Sequence, residues 1–454
     1  MKIVVVGCGK IGSVLISNLV SEGHEVVAID RDQGVLASVT DVYDAMGVCG
    51  GGADCEVLTE AGAHKADLFI AVTGSDELNM LSCFIAGRMG AAHRIARIRT
   101  PEYNDKSLAF MRQQLGLSMS INPELLAAHE LFNILKLPSA VKVETFSQRN
   151  FEMIELVLKP ASHLDGMKLS DLRTKYRSKF LVCAVQRDDN IYIPDGNFVL
   201  RSGDKIGLTA THIEIQKTLR EMGLLQKQAR NIMILGGSRT AYYLARMLTS
   251  TGNSVKIIEQ NESVCDEIGR DLPKAEIIHG DGTNQELLLE EGLHSMDAFV
   301  SLTGIDEENI LISIFASTQG GVPKVIAKVN SDQLSSMAEK LGLDCIVSPK
   351  KITADVLVRY ARAIQNSVGS NVETLYKLMD GRAEALEFNV SAGSPLIGIP
   401  LKDLNFKPGI LIAGIIHDRR SIIPNGDDTV SAGDRVVVIS AHRYLHDLSE
   451  ILDS

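Results

Sequence analysis

The residues best suited to chemistry stand within the first thirty. Gly7-Cys8-Gly9-Lys10-Ile11-Gly12 follows the apolar run Ile3-Val4-Val5-Val6, and Asp30 closes a second apolar run, Val26-Val27-Ala28-Ile29. This spacing matches a phosphate-binding turn between a strand and a helix, with an acid at the end of the next strand. Gly7 permits a tight turn, Gly9 lacks the Cβ that would hold a pyrophosphate off the backbone, and Gly12 lets the helix lie near the sheet. The helix that starts there offers unpaired N–H groups and the positive end of its dipole to phosphates. Asp30, eighteen residues past Gly12, can accept from a ribose 2′-OH and would repel a 2′-phosphate. The chemistry indicated is binding of NAD(H) or an adenosine nucleotide in preference to NADP.

These residues need an alternating strand–helix unit to hold them, and the chain encodes that unit twice. Lys2-Ile-Val-Val-Val-Gly7 returns 229 residues on as Asn231-Ile-Met-Ile-Leu-Gly236, and Asp30 returns as Glu259. Thr73-Gly74-x-Asp76-Glu77-x-Asn79 returns as Thr303-Gly304-x-Asp306-Glu307-x-Asn309. Within the first unit the pattern predicts strands near 2–6, 25–29, 46–49, 68–72, 94–98 and 119–121. Right-handed crossovers make such a sheet parallel. The duplication runs on into a second kind of domain. Ser162-x-Leu164-x-Gly166-x-x-Leu169-x-Asp171-Leu172 returns as Ser394-x-Leu396-x-Gly398-x-x-Leu401-x-Asp403-Leu404, and Gly203-Asp204 returns as Gly433-Asp434. Runs at 180–185, 205–208, 410–415 and 435–440 read as strands, and 170–174 and 401–404 as helical turns.

The expected fold is therefore α/β, with two Rossmann-like doubly wound parallel-sheet domains, each followed by a small α+β domain. The boundaries read as 1–123 and 229–349 for the nucleotide units and 141–226 and 372–454 for the small units. Linking helices occupy 124–140 and 350–371. Asn122-Pro123 and Ser348-Pro349 each place a cap residue before a proline at the first helical position. In the first of these helices Leu125, His129, Phe132 and Leu135 share one face, and Ala127, Leu131 and Ile134 add a second apolar strip. So wide a face leaves two readings open, packing within the chain against the following small domain or a crossover that mediates assembly.

Bulk properties narrow the function classes. The 454 residues carry a formal net charge of -11, against the clustered base of a nucleic-acid footprint. Aromatic residues are 5% of the chain and tryptophan is absent, which disfavours base-stacking platforms. No apolar run approaches the roughly 20 residues that span a bilayer, so a soluble cytoplasmic protein is expected. Seven cysteines without a CxxC pair read as small core or loop residues in a reducing compartment.

Taken together, the turn with its late acid, the Ala61-Gly62…Asp67 segment, the Thr73…Asn79 segment and the Ala96-Arg97 strand resemble the RCK/KTN family, regulators of potassium conductance and transport. The Ser-x-Leu-x-Gly unit ending in Gly-Asp is similar to that family's C-terminal domain, and the resemblance spans essentially the whole chain. It implies a ring of such units, four chains in all, on the cytoplasmic face of a TrkH-type integral membrane potassium channel or transporter subunit. Nucleotide binding would then gate ion flow, and no nucleic acid is implied. It also implies a first site with Gly7, Cys8, Gly9, Lys10 and Ile11 at the phosphates, Asp30 at the ribose, Thr73-Gly74 above the strand ends, and Arg97 neutralising the diphosphate. The second copy keeps Gly236 and offers Glu259 to a ribose, but Ser238 stands where close approach is wanted, and Lys328 replaces Arg97. That site is expected either to be empty or to prefer ATP or ADP, for which Arg239 supplies charge.

The alternative reading is an NAD-dependent dehydrogenase, which needs an acid or base beside the nicotinamide. The small domains offer His163, His212, His417, His442 and His446, none of which recurs in both copies; His163 aligns with Pro395 and His417 with Arg187. A redox-sensing DNA-binding repressor would need a helix-turn-helix and a basic face, and the four units leave no sequence for one. A regulatory chain, not an enzyme, is the expectation.

Overall fold

The computed structural model describes residues 1–100, 105–146, 151–160, 162–188, 190–366, 372–417, 420–441, 445 and 447–453. In the first lobe the β-branched run Lys2–Val6 forms the centre of a six-stranded sheet. Its order is Met46–Cys49, Glu25–Asp30, Lys2–Val6, Leu68–Ala71, His93–Arg97, Met119–Ile121, parallel throughout. Strands buried on both faces, such as Lys2–Val6, Glu25–Asp30 and Leu68–Ala71, read as continuous apolar runs, which is why their sequence limits fall within a residue of those expected. Alternate residues serve opposite faces. Ile3, Val5 and Ile70 meet Leu15, Ile16 and Leu19 of helix Lys10–Ser21. Val4, Val6 and Phe69 meet Cys83 and Ala86 of helix Asp76–Met89. The second lobe repeats the order with Glu276–His279, Ser254–Glu259, Asn231–Leu235, Ala298–Ser301, Lys324–Lys328 and Ile346–Val347.

Each small domain carries a five-stranded sheet. The first runs Asn190–Tyr192, Phe180–Arg187, Lys205–Ala210, Phe151–Val157, Lys142–Phe146, and the second Val372–Leu378, Ala383–Asn389, Arg435–Ala441, Ile410–His417, Arg420–Ile422, all antiparallel. The two sheets share one core, in which Met153, Cys183 and Ala184 meet Leu378, Met379, Ala385, Ala413 and Val437. The Met379 N–H donates to Glu155 Oε1 across this seam at 2.8 Å.

The linking helices settle the open question in an unexpected way. Helix Pro123–Lys136 begins at the first lobe, capped by Asn122, whose Oδ1 accepts the Leu125 N–H at 3.0 Å. It then buries Ala127, Ala128, Leu131, Ile134 and Leu135 in the second lobe, against Ile232, Ile234, Leu244 and Leu248. Helix Pro349–Asn366 makes the return crossing, placing Leu357, Val358 and Ala361 against Ile3, Leu15 and Leu19 of the first lobe. Arg362 pairs with Glu22, at the end of the first lobe's first helix, and with Glu384 of the second small domain at 3.2 Å. The packing is thus within one chain and chiefly on the opposite lobe, with polar contacts to the following small domain besides, such as Arg362 with Glu384 and Asp355 with Lys377. His129, placed on an apolar face by the helical pattern, is exposed, because the buried stripe runs through 127, 128, 131, 134 and 135.

Two consequences are measurable. Leu131→Ala should cost about 2–5 kcal/mol in urea unfolding, and should speed hydrogen exchange in strand 231–235 more than in strand 2–6, although Leu131 belongs to the first unit's sequence. An ideal Cβ on Gly12 would lie 1.8 Å from the Gly7 carbonyl oxygen, whereas one on Gly9 would meet nothing within 4 Å. Gly12→Ala should therefore destabilise by about 1–3 kcal/mol or more, while Gly9→Ala should stay within about 0.5 kcal/mol of the native chain.

Candidate nucleotide-binding cavity

A cavity of about 1040 Å³ opens at the carboxyl ends of the first lobe's strands. That is the upper end of the range for small-molecule sites, about 300–1,000 Å³, and the crevice where ligands of open α/β sheets bind. Gly7, Gly9, Lys10, Ile11, Asp30, Thr73, Gly74 and Arg97 all line it, together with the glycine loop 50–52. Gly7 has φ +98, which frees the chain to turn sharply out of its strand.

Cys8 and Gly12 do their work behind the wall. Cys8 is 3% exposed and its N–H donates to Asp30 Oδ2 at 2.7 Å. Burial, with the Asp30 charge adding to it, pushes its thiol up to about 12, so it is an inert packing group. Gly12 sets the approach of helix Lys10–Ser21 to the turn. The other Asp30 oxygen accepts the Asp32 N–H at 3.0 Å. The carboxylate is thereby fixed at the rim, and its remaining lone pairs are available to a hydroxyl.

Asn79 organises the far wall. Its Oδ1 accepts from the Thr73 N–H at 2.8 Å and from the Thr73 hydroxyl at 2.7 Å, and its Nδ2 donates to the Arg97 carbonyl at 2.9 Å. Arg97 is 9% exposed, donates through Nη2 to the Thr73 carbonyl, and leaves its Nε without a partner. Burial, followed by repulsion from Arg99, pulls its guanidinium below the usual range, with Arg239 of the second lobe adding to the repulsion. A buried cation crowded by cations is what a bound anion would relieve.

The second lobe contributes to the same cavity, a feature that single-lobe reasoning misses. Ser238, Arg239, Thr240, Lys328, Asn330, Pro349 and Lys350 complete the lining. Lys10, Arg239, Pro123 and Pro349 are each the first residue of a helix, so four helix N-termini border one space. Seven cationic side chains (Lys10, Arg31, Arg97, Arg99, Arg239, Lys328 and Lys350) face two carboxylates, Asp30 and Glu124. Lys328 is also drawn below its usual range, by burial first, and it feels Lys10 across the gap. Arg239 was visible as charge in the sequence; its convergence with Arg99 was not, because it depends on how the lobes meet.

Gly236 and Glu259 are absent from this lining. Gly236 repeats the turn, with φ +92. Glu259 repeats the Asp30 contacts, accepting the Gly237 N–H at 2.6 Å and the Asn261 N–H at 2.7 Å. Ser238 caps helix Arg239–Ser250 through the Ala241 N–H at 3.4 Å. Of the histidines weighed for catalysis, His163 is exposed. His417 pairs with Asp434 at 2.5 Å as Arg187 pairs with Asp204 at 2.7 Å. His442, His446 and the His212 side chain lie outside the described residues.

Comparison with known proteins agrees with this architecture. The TrkA-N domain family matches residues 3–123 and 232–349, and the TrkA-C domain family matches 153–223 and 385–453. The Methanosarcina mazei protein named Trk system potassium uptake protein TrkA homolog 1 is 33% identical over 448 residues, 97% of each chain. The Vibrio alginolyticus Trk system potassium uptake protein TrkA is 29% identical over 458 residues, covering 99% of this chain and 98% of that one. Among solved structures, the GsuK channel bound to NAD shares the fold at a TM-score of 0.62 and 17% identity, over 97% of this chain and 77% of that one. With tandem matches to both domain families and a relative of this identity along nearly its whole length, the chain belongs to the TrkA family.

Proposed function

We propose that this chain is a nucleotide-responsive regulatory subunit of a potassium-uptake system, and that the cavity between its lobes is the sensor. The observation that carries the reading is Arg97, buried, partly unpartnered and surrounded by further cations at the strand ends of a Rossmann-like lobe. The residues fit an adenine dinucleotide or nucleotide. The first turn and the N-terminus of helix Lys10–Ser21 would hold the phosphates, Asp30 the ribose, and Arg97 and Arg99 the diphosphate charge. An Asp at the ribose position favours NAD(H) over NADP. The second lobe's Arg239, Lys328 and Lys350 extend the cationic wall, which also suits ATP or ADP.

Regulation follows from thermodynamics. A ligand shifts a conformational equilibrium only by its differential affinity for the two states, about 1–3 kcal/mol of coupling per site. A cavity walled by two lobes senses their separation directly, since phosphates bound there are attracted to both walls. Several such sites in a ring of four chains would add their increments. The potassium-uptake relatives support a membrane partner, for which a TrkH-type channel or transporter subunit on the inner face of the membrane is the candidate. Among the described residues no helix is long and apolar enough to cross a membrane. The family is one of transport regulators, and the dehydrogenase alternative is set aside.

Titration calorimetry with NADH, NAD, ATP and ADP should show binding without turnover, at one nucleotide per chain, and light scattering should report a tetramer. A Cβ on Gly9 would meet nothing within 4 Å, so Gly9→Asp should fold normally while its carboxylate repels phosphates, and the variant should lose binding and ligand control of potassium flux through the partner. Unchanged regulation in that variant, or no binding of any of the four by the native chain, would overturn the proposal.

A further inference from the structure

One polar bridge joins the lobes at the edge of the cavity, through two residues, Tyr243 and Asn122, that do not line it. The Tyr243 hydroxyl, on helix Arg239–Ser250 of the second lobe, donates to the Arg99 carbonyl of the first at 3.2 Å. It accepts from Asn122 Nδ2 at 3.1 Å. Asn122 Nδ2 also reaches the Arg99 carbonyl at 3.4 Å, while its Oδ1 caps the first crossover helix. Arg99 faces the cavity with its guanidinium. There it donates to the Gly74 carbonyl at 2.7 Å and lies 3.7 Å from Glu124, in the first turn of that same helix.

The internal duplication makes this bridge conspicuous. Asp76 and Asp306 hold the same two backbone N–H groups in their respective lobes, and Asn79 and Asn309 make matching contacts to Thr73 and Thr303. At the positions of Tyr243, Arg99 and Asn122, however, the other half carries Val14, Asn330 and Ser348. Val14 has no hydroxyl to give, and the buried Ser348 Oγ has no partner. The bridge exists at one of two quasi-equivalent places, the one adjoining the cavity's Arg97 and Arg99.

We propose that Tyr243 is a positioning residue that transmits occupation of the cavity by nucleotide phosphates to the first crossover helix, and through it to the second lobe. This rests on the nucleotide-binding reading above. Phosphates at Arg99 compete with Glu124 for its guanidinium. Any displacement of that strand end carries its carbonyl, to which an O–H and an N–H are both bound. Leaving such groups unpaired is costly, so the three move together instead of separating. The helix N-cap therefore follows the strand end.

The test uses the full chain, NADH and ATP as probes, titration calorimetry for affinity, and hydrogen exchange of the amides at 125–131. In the native chain ligand should slow exchange there by about tenfold or more. Tyr243→Phe and Asn122→Ser (a serine still caps a helix) should bind within about threefold of native but keep less than about twofold of that protection. Arg97→Ala should lose binding itself. Tyr243→Phe with native ligand-induced protection overturns the proposal, as does an affinity loss equal to that of Arg97→Ala, which would make Tyr243 part of the pocket. A native chain that binds a probe without change at 125–131 overturns the coupling alone. One that binds neither probe overturns the nucleotide reading and the coupling with it.

Discussion

Helix Pro123–Lys136 leaves the first lobe and buries Leu131 and Ile134 in the second, while helix Pro349–Asn366 returns to bury Leu357 and Val358 in the first. An open parallel sheet needs apolar cover on both faces, and here part of each lobe's cover belongs to the other half of the chain. Each lobe keeps one sheet face as its own core but has the other completed by a helix from the opposite half, so neither can be regarded as an independent domain. The exchange fixes the two strand-end edges face to face, and that juxtaposition creates the cavity. It also determines where the small domains go, since each follows directly from a helix anchored on the opposite lobe. Arg362, pairing with Glu22 of the first lobe and Glu384 of the second small domain, ties one of these junctions electrostatically.

Against that frame the charge distribution is informative. The chain as a whole has a net charge of -11, yet seven cationic side chains converge on one cavity with two carboxylates. Helix N-termini raise the local potential further. Such an arrangement is costly in the absence of an anion. Arg97 and Lys328 both sit in partly desolvated positions that disfavour their charged forms, and the cations of the two lobes repel each other across the gap. An anionic ligand converts that repulsion into attraction on both walls at once. The same cationic walls that would attract phosphates would make the spacing of the lobes depend on what is bound.

Much of this could be read from residues. The buried parallel strands announced themselves because both of their faces are apolar; Gly7, Gly9 and Asp30 line the cavity, and Gly12 sits where a Cβ would strike the Gly7 carbonyl. The strands Lys142–Phe146, Phe151–Val157 and Ala383–Asn389 were less legible. Buried Glu155 and Glu387 interrupt their apolar alternation, each satisfied by a basic residue on a neighbouring strand, Lys205 and Arg435. The first crossover helix was legible as a helix, cap and proline included, but its buried stripe was misjudged at His129, because the face that matters is set by a lobe encoded more than a hundred residues later. Ser238 and Arg239 were legible as parts of the second turn, but that they and Lys350 line the first lobe's cavity was hidden for the same reason. A motif defines its own turn; it does not say which other turn it will face.

The duplication explains why the two halves need not behave alike. Two identical chains related by symmetry must build the same site twice, whereas a fused pair is free to vary one copy. The framework residues have stayed paired, as Asp76 with Asp306 and Asn79 with Asn309 show. The groups nearest the glycine turns have diverged: Gly9 against Ser238, Arg97 against Lys328, Arg99 against Asn330, Asn122 against Ser348. Ser238 gives up the open approach that glycine provides and gains a helix cap, which stabilises its own helix while adding a hydroxyl to the cavity wall. Ser238, Lys328 and Asn330 line the shared cavity, whereas Gly236 and Glu259 do not. Divergence of this kind leaves the glycine turn and its late acid facing the cavity in the first half, and a capping serine with Arg239, Lys328 and Lys350 facing it from the second.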